Sequence, residues 1–125
     1  MVETHRLPII APLIAIFALL VVISSSCGSS SAPEIPVGPN GESDTALSMG
    51  RAVWTKHCAS CHGSSGQGGR GKKLNDGEIF KIYPEVDGLL NVISVGKGQG
   101  MPAFGSKLSN EEIAAVSRYI REILN

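Results

Sequence analysis

The chain has 125 residues, with 11 Lys or Arg balanced by 11 Asp or Glu and 42% hydrophobic residues. This balance excludes a nucleic-acid binder of the strongly basic kind. The charge is unevenly spread, because from Thr45 onward ten Lys or Arg stand against seven Asp or Glu, a difference of +3. Leu7 to Ile23 is almost wholly apolar, preceded by Arg6 and followed by Ser24-Ser25-Ser26-Cys27, the layout of a secretory signal. As a helix those residues would span about 26 Å against a hydrocarbon core of about 30 Å, so an uncleaved membrane anchor is the alternative, and a cleaved leader on a free protein is a third. Cys27, after three small residues and before Gly28-Ser29-Ser30-Ser31, resembles a bacterial lipoprotein site, with Cys27 lipidated and left as the mature N-terminus. The position three before that cysteine, usually Leu or Val, is Ser24.

Residues 28–43 are rich in Ser, Gly and Pro and read as a flexible linker with a root-mean-square reach of about 22 Å. The domain proper is expected at 44–125. Its first helix starts near Asp44 or Thr45 and turns Leu47, Val53 and Trp54 inward. Residues 76–84 fit a short helix or a loop. A further helix is expected from about Asp87 to Gly96, carrying Leu89, Leu90, Val92 and Ile93. The last helix is announced by Ser109 as N-cap, Glu112 closing a capping box and Leu108 stapled to Ile113. It places Ile113, Val116, Ile120 and Ile123 on one face and runs nearly to Asn125. Nothing alternates cleanly enough for a strand, so the fold class is all-α.

Between the first two helices stands Cys58-Ala59-Ser60-Cys61-His62. Two thiols three positions apart, followed at once by an imidazole, suit covalent attachment of haem c, with a thioether from each cysteine and His62 as the proximal ligand of the iron. A structural zinc site needs about four ligands and no second Cys or His pair exists. A dithiol redox motif would need a strand-helix-strand frame that the Gly-rich sequence after His62 does not supply. For the opposite face of the iron, Met101 is the candidate. It follows Gly96-Lys97-Gly98-Gln99-Gly100 and precedes Pro102, so a pliable loop ends in a rigid residue. Met49, inside the first helix just before the attachment motif, is poorly placed. A thioether ligand favours ferrous iron and raises the potential.

From about Thr45 to the C-terminus these residues resemble the class I c-type cytochromes, small monohaem cytochromes c of bacteria. Gly50 and Trp54, eight and four positions before Cys58, stand where the family has a glycine and an aromatic residue in its first helix. Val116 and Tyr119 match its last helix, and Met101-Pro102-Ala103-Phe104-Gly105 its axial methionine loop. The resemblance implies three to five helices around one covalent haem c and its iron, with the first and last helices crossing at Gly50. It also implies a backbone carbonyl that orients His62; where the family commonly has a proline before Leu74, this chain has Lys72. Leu74, Phe80, Ile82, Phe104 and Trp54 are expected to touch the haem.

The expected function is that of a non-enzymatic one-electron carrier, exported and held at the extracytoplasmic face of the membrane, shuttling between redox partners there. Saturated coordination by His62 and Met101 leaves substrate no place on the iron. The alternatives are a haem-based sensor or small-ligand enzyme with a displaceable Met101, or a fixed cytochrome subunit of a respiratory complex. Arg70, Lys72 and Lys73 cluster just after the motif, where they are expected to steer an acidic partner.

Overall fold

The computed structural model describes residues 31–125. Cys27 and the apolar run before it lie outside the described residues. Among the described residues no helix is long and apolar enough to cross a membrane.

The fold is all-α, with four helical stretches and no β-strand among the described residues. The first stretch opens with α1, Thr45–Val53, capped by the Asp44 carboxylate, which accepts from the Leu47 N–H at 3.0 Å. It widens into a π turn, Trp54–Cys58, where the Ala59 N–H reaches back to the Trp54 carbonyl, and continues as α2, Ala59–His62. The Thr55 hydroxyl binds the Arg51 carbonyl at 2.9 Å, a side-chain bond to the preceding turn of the kind that distorts helices. A π turn is a rare insertion and often marks a functional site; here it leads directly into the Cys-Ala-Ser-Cys-His motif.

The segment left open in the sequence becomes a short helix, α3, Glu78–Ile82, entered through Gly77 in the left-handed region. Helix α4, Val86–Val95, starts one residue earlier than expected and stops at Gly96, whose φ is +77°. Helix α5, Asn110–Glu122, carries both halves of the capping box: the Ser109 hydroxyl accepts from the Glu112 N–H at 3.1 Å, and the Glu112 carboxylate accepts from the Ser109 N–H at 2.8 Å. It ends three residues short of Asn125. The Asn125 amide donates instead to the carbonyls of Ile120 and Leu74, finishing the helix with a side chain.

Helix α5 packs against α1, α3 and α4. Its crossing with α1 is set by Gly50, where a Cβ would overlap the Ala115 carbonyl oxygen and sit 2.8 Å from the Tyr119 Cβ. Trp54, Val116 and Tyr119 are fully buried beside this crossing. Trp54 also donates through Nε1 to the Ser64 carbonyl at 2.8 Å, which ties the loop after α2 to the core.

Part of the expected flexible linker is packed. Ala32 is buried in the core and Ile35 lies against it. The Pro33 carbonyl accepts from the Tyr119 hydroxyl at 2.7 Å and from Arg51 Nε at 2.9 Å, while the Arg51 guanidinium pairs with Glu34. A tight loop closed by Gly38 and Glu42 then leads to Asp44. The low apolar content of this segment conceals how well a short backbone strap can be held by hydrogen bonds from two side chains of the crossing.

Candidate functional site

The helices enclose an elongated cavity of about 860 Å³ whose walls are mostly apolar, from Trp54, Leu74, Ile79, Leu89, Ile93 and Phe104 among others. Cys58, Cys61, His62 and Met101, the four residues expected from the sequence, all line it. The first three come from one helical stretch and Met101 from the loop after α4, so the sequence-distant partner reaches the same space as the motif.

The His62 ring is held from behind. Its Nδ1 lies 2.8 Å from the Lys72 carbonyl oxygen. A carbonyl only accepts, so Nδ1 carries the hydrogen and Nε2 keeps its lone pair for a metal. The carbonyl whose orientation the missing proline left open is therefore aimed at the ring by other means. Gly71 N–H donates to the Cys61 carbonyl at 2.8 Å and Gly68 N–H to the His62 carbonyl at 2.7 Å, folding the loop over the end of α2. Gly71 itself was not singled out in the sequence. A Cβ there would stand 2.7 Å from His62 Cε1 and 2.8 Å from Nδ1, so only glycine admits the ring in this position. Trp54 stacks obliquely on the other side, with ring centroids 6.1 Å apart.

Cys58 faces an apolar wall, and burial, followed by the neighbouring Cys61, pushes its thiol up to about 12. The Cys61 sulfur accepts from Arg70 Nη2 at 3.4 Å.

The Met101 loop is closed on itself by Lys97 N–H to the Met101 carbonyl at 2.9 Å and Met101 N–H to the Lys97 carbonyl at 3.3 Å. Gly96 makes this possible: a Cβ there would lie 2.6 Å from the Met101 carbonyl oxygen, besides straining its positive φ. Phe104 and Gly105 N–H groups then bond to the Ile93 and Ser94 carbonyls, which fastens the loop to α4.

Of the five side chains expected to line the cofactor, Trp54, Leu74, Ile82 and Phe104 line the cavity. Phe80 does not. Helix α3 turns Ile79 and Ile82 inward at i and i+3, which leaves Phe80 41% exposed under the Arg121 guanidinium, 4.7 Å from its ring centroid. Among the described residues no cluster of three or more His, Cys, Asp or Glu is placed to hold a metal ion.

This all-α fold around an apolar cavity, with two thiols and a back-bonded histidine on its wall, defines a class I c-type cytochrome. Residues 45–120 match the family described as cytochrome c oxidase, cbb3-type, subunit III, and the chain belongs to that family of c-type cytochrome domains. Its cofactor is one covalently attached haem c with its iron. The apolar walls, the paired sulfurs and the free Nε2 fit that group. Among curated relatives, the cbb3-type cytochrome c oxidase subunit FixP of Azorhizobium caulinodans is 32% identical over 81 residues, 62% of this chain but 27% of FixP. Chloroplastic cytochrome c6 of Chlamydomonas reinhardtii is 33% identical over 119 residues, covering 89% of this chain and 70% of the relative. The solved structure of cytochrome cL from Methylophaga aminisulfidivorans is similar with a TM-score of 0.57 at 25% identity, over 62% of this chain and 53% of that one.

Proposed function

We propose that this c-type cytochrome is a one-electron carrier with Cys58 and Cys61 as the haem attachment points, His62 as proximal ligand and Met101 as distal ligand. The observation that carries the reading is the placing of Met101 and the Cys58-to-His62 motif on the walls of one cavity, with His62 Nδ1 occupied by the Lys72 carbonyl. The bound haem supplies an iron that alternates between ferric and ferrous states. The protein's part is to keep that change cheap. Lys72 fixes the His62 ring, the Gly96 turn and the Lys97–Met101 bridge fix the sulfur, and the apolar walls keep water away.

The donor and acceptor are redox proteins at the extracytoplasmic face of a membrane, where the chain is tethered through Cys27 or an N-terminal helix. Lys56, His57, Arg70, Lys72 and Lys97 line the cavity without a single Asp or Glu, a charge pattern suited to an acidic partner. The name of the FixP relative supports a second reading, a fixed cytochrome subunit of a respiratory oxidase.

The test is made on Met101. Wild-type ferrous protein should bind carbon monoxide poorly, whereas Met101→Ala should bind it readily and show a lower midpoint potential, because a methyl group cannot replace sulfur on iron. Rapid carbon monoxide binding by the wild type, little changed in Met101→Ala, would remove Met101 as the closing ligand and move the sensor or enzyme reading ahead.

A further inference from the structure

Tyr83 and Lys97, neither part of the attachment motif nor of the expected ligand set, converge at the cavity. Lys97 Nζ donates to the Tyr83 hydroxyl oxygen at 3.4 Å and lies 5.7 Å from the centroid of its ring, and both residues line the cavity. The two come from opposite ends of α4 and each is fixed by contacts of its own. Tyr83 is held through its backbone, with Arg121 Nη1 donating to its carbonyl at 3.0 Å and Nη2 to the Pro84 carbonyl at 3.1 Å. Its ring rests against the bare backbone of Gly88, where a Cβ would come within 3.3 Å of Cδ1. Lys97 is held by the two-way bridge to Met101 that follows the Gly96 turn. Among the described residues the Tyr83 hydroxyl hydrogen is given to no protein acceptor, and the Lys97 ammonium has no carboxylate partner.

The chemistry of haem says what can satisfy both. A porphyrin of this type carries its two vinyl groups on one edge and its two propionate carboxylates on the opposite edge. Thioethers at Cys58 and Cys61 put the vinyl edge against α2. Arg70, 3.4 Å from the Cys61 sulfur, therefore belongs to the vinyl edge. Lys97 is the cation of the cavity wall that stands beside a phenol and is borne by the Met101 loop.

We infer that Tyr83 and Lys97 form the anchor for a haem propionate, Lys97 as the cationic donor and Tyr83 as the neutral one. This rests on the proposed attachment through Cys58 and Cys61. The pair is a positioning device: it fixes the tilt of the macrocycle about its thioether edge, and it sets a positive charge near the iron that favours the ferrous state. It also couples propionate binding to the Met101 loop, since Lys97 and Met101 share one backbone bridge.

The experiment compares full-length holoprotein with Lys97→Gln, Lys97→Arg and Tyr83→Phe. Resonance Raman of the propionate-bending mode and the midpoint potential are the readouts. Lys97→Gln should shift the propionate mode and lower the potential; Lys97→Arg should restore both towards wild type; Tyr83→Phe should shift the mode with a smaller change in potential, since it removes a donor but no charge. Haem stain after denaturing electrophoresis, and the sulfur-to-iron charge-transfer band, are recorded on the same samples. A wild type without covalent stain would overturn the attachment reading itself. Retained stain and retained sulfur band, with the propionate mode of Lys97→Gln unchanged from wild type, would leave that reading intact and overturn the anchor.

Discussion

At position 71 one hydrogen atom in place of a methyl group decides where the His62 ring lies. The His62 ring lies close against the backbone of Gly71, with Trp54 near by, and the Lys72 carbonyl that orients it is the next residue along. Gly71→Ala must therefore move either the ring or the loop that carries the carbonyl. The expected result is holoprotein with a changed midpoint potential and a lower yield of matured haem, read by potentiometry and by haem stain per unit of protein. An unaltered potential and yield would mean that the loop gives way freely. The motif residues were legible because Cys-x-x-Cys-His is a local pattern whose chemistry follows from residue type alone. The place of Met101 on the cavity wall was legible from its loop, by glycines before it and proline after. Gly71, Tyr83 and Lys97 were not, because what each one touches is set by a neighbour 9 to 14 positions away in the chain.

At the level of elements, the first and last helices carry the fold through their crossing, and Gly50 is its closest point. Gly50→Ala places a methyl group on the Ala115 carbonyl oxygen and against the Tyr119 Cβ. Overpacking of this sort typically costs about 1–3 kcal/mol, against a helix-propensity gain of about 1 kcal/mol; because the clash is with the Ala115 backbone, which cannot swing aside, chemical denaturation should show a net loss of stability. The same crossing carries a titratable contact. Leu47 N–H first, and Arg118 second, hold the Asp44 carboxyl below its ordinary value of 3.8. A carboxyl lowered on folding contributes stability that is present above that ordinary value and lost as the pH falls through its folded one. Asp44→Asn keeps an oxygen for the cap but drops the charge facing Arg118. The stability gap between wild type and variant, measured by denaturation at several pH values, should be present near neutrality and close as the pH drops below 3.8. A gap that stays constant would show that the charge is irrelevant there. Capping residues were easy to foresee because Ser109 and Glu112 bond within one turn. The strap at 32–35 was not, since it depends on Tyr119 and Arg51 reaching across from the crossing.

For the molecule as a whole, what matters is which charges surround the opening through which electrons must pass. The net charge of the sequence is zero, yet the cavity is lined by Lys56, His57, Arg70, Lys72 and Lys97 and by no acidic residue. Arg118, by contrast, is engaged by Asp44 and Glu122, and Lys81 by Glu78, away from the cavity. None of these acidic residues lines the cavity, so the charged side chains that the protein itself contributes there are basic. Exposed charges of this kind contribute little to stability, but they act over a Debye length of about 10 Å at 0.1 M salt and about 3 Å at 1 M, so their effect is on encounter. The second-order rate of electron transfer with an acidic redox protein, measured by stopped-flow absorbance, should fall steeply as salt is raised across that range. Arg70→Gln combined with Lys72→Gln should lower the rate at low salt and flatten the salt dependence, leaving the rate at high salt close to wild type. Lys72 takes part in orienting His62 only through its carbonyl, so the double variant retains that bond and should keep its haem spectrum. A wild-type rate indifferent to salt would instead mean that this positive rim does not guide the partner, and that recognition rests on the apolar surface around the cavity mouth.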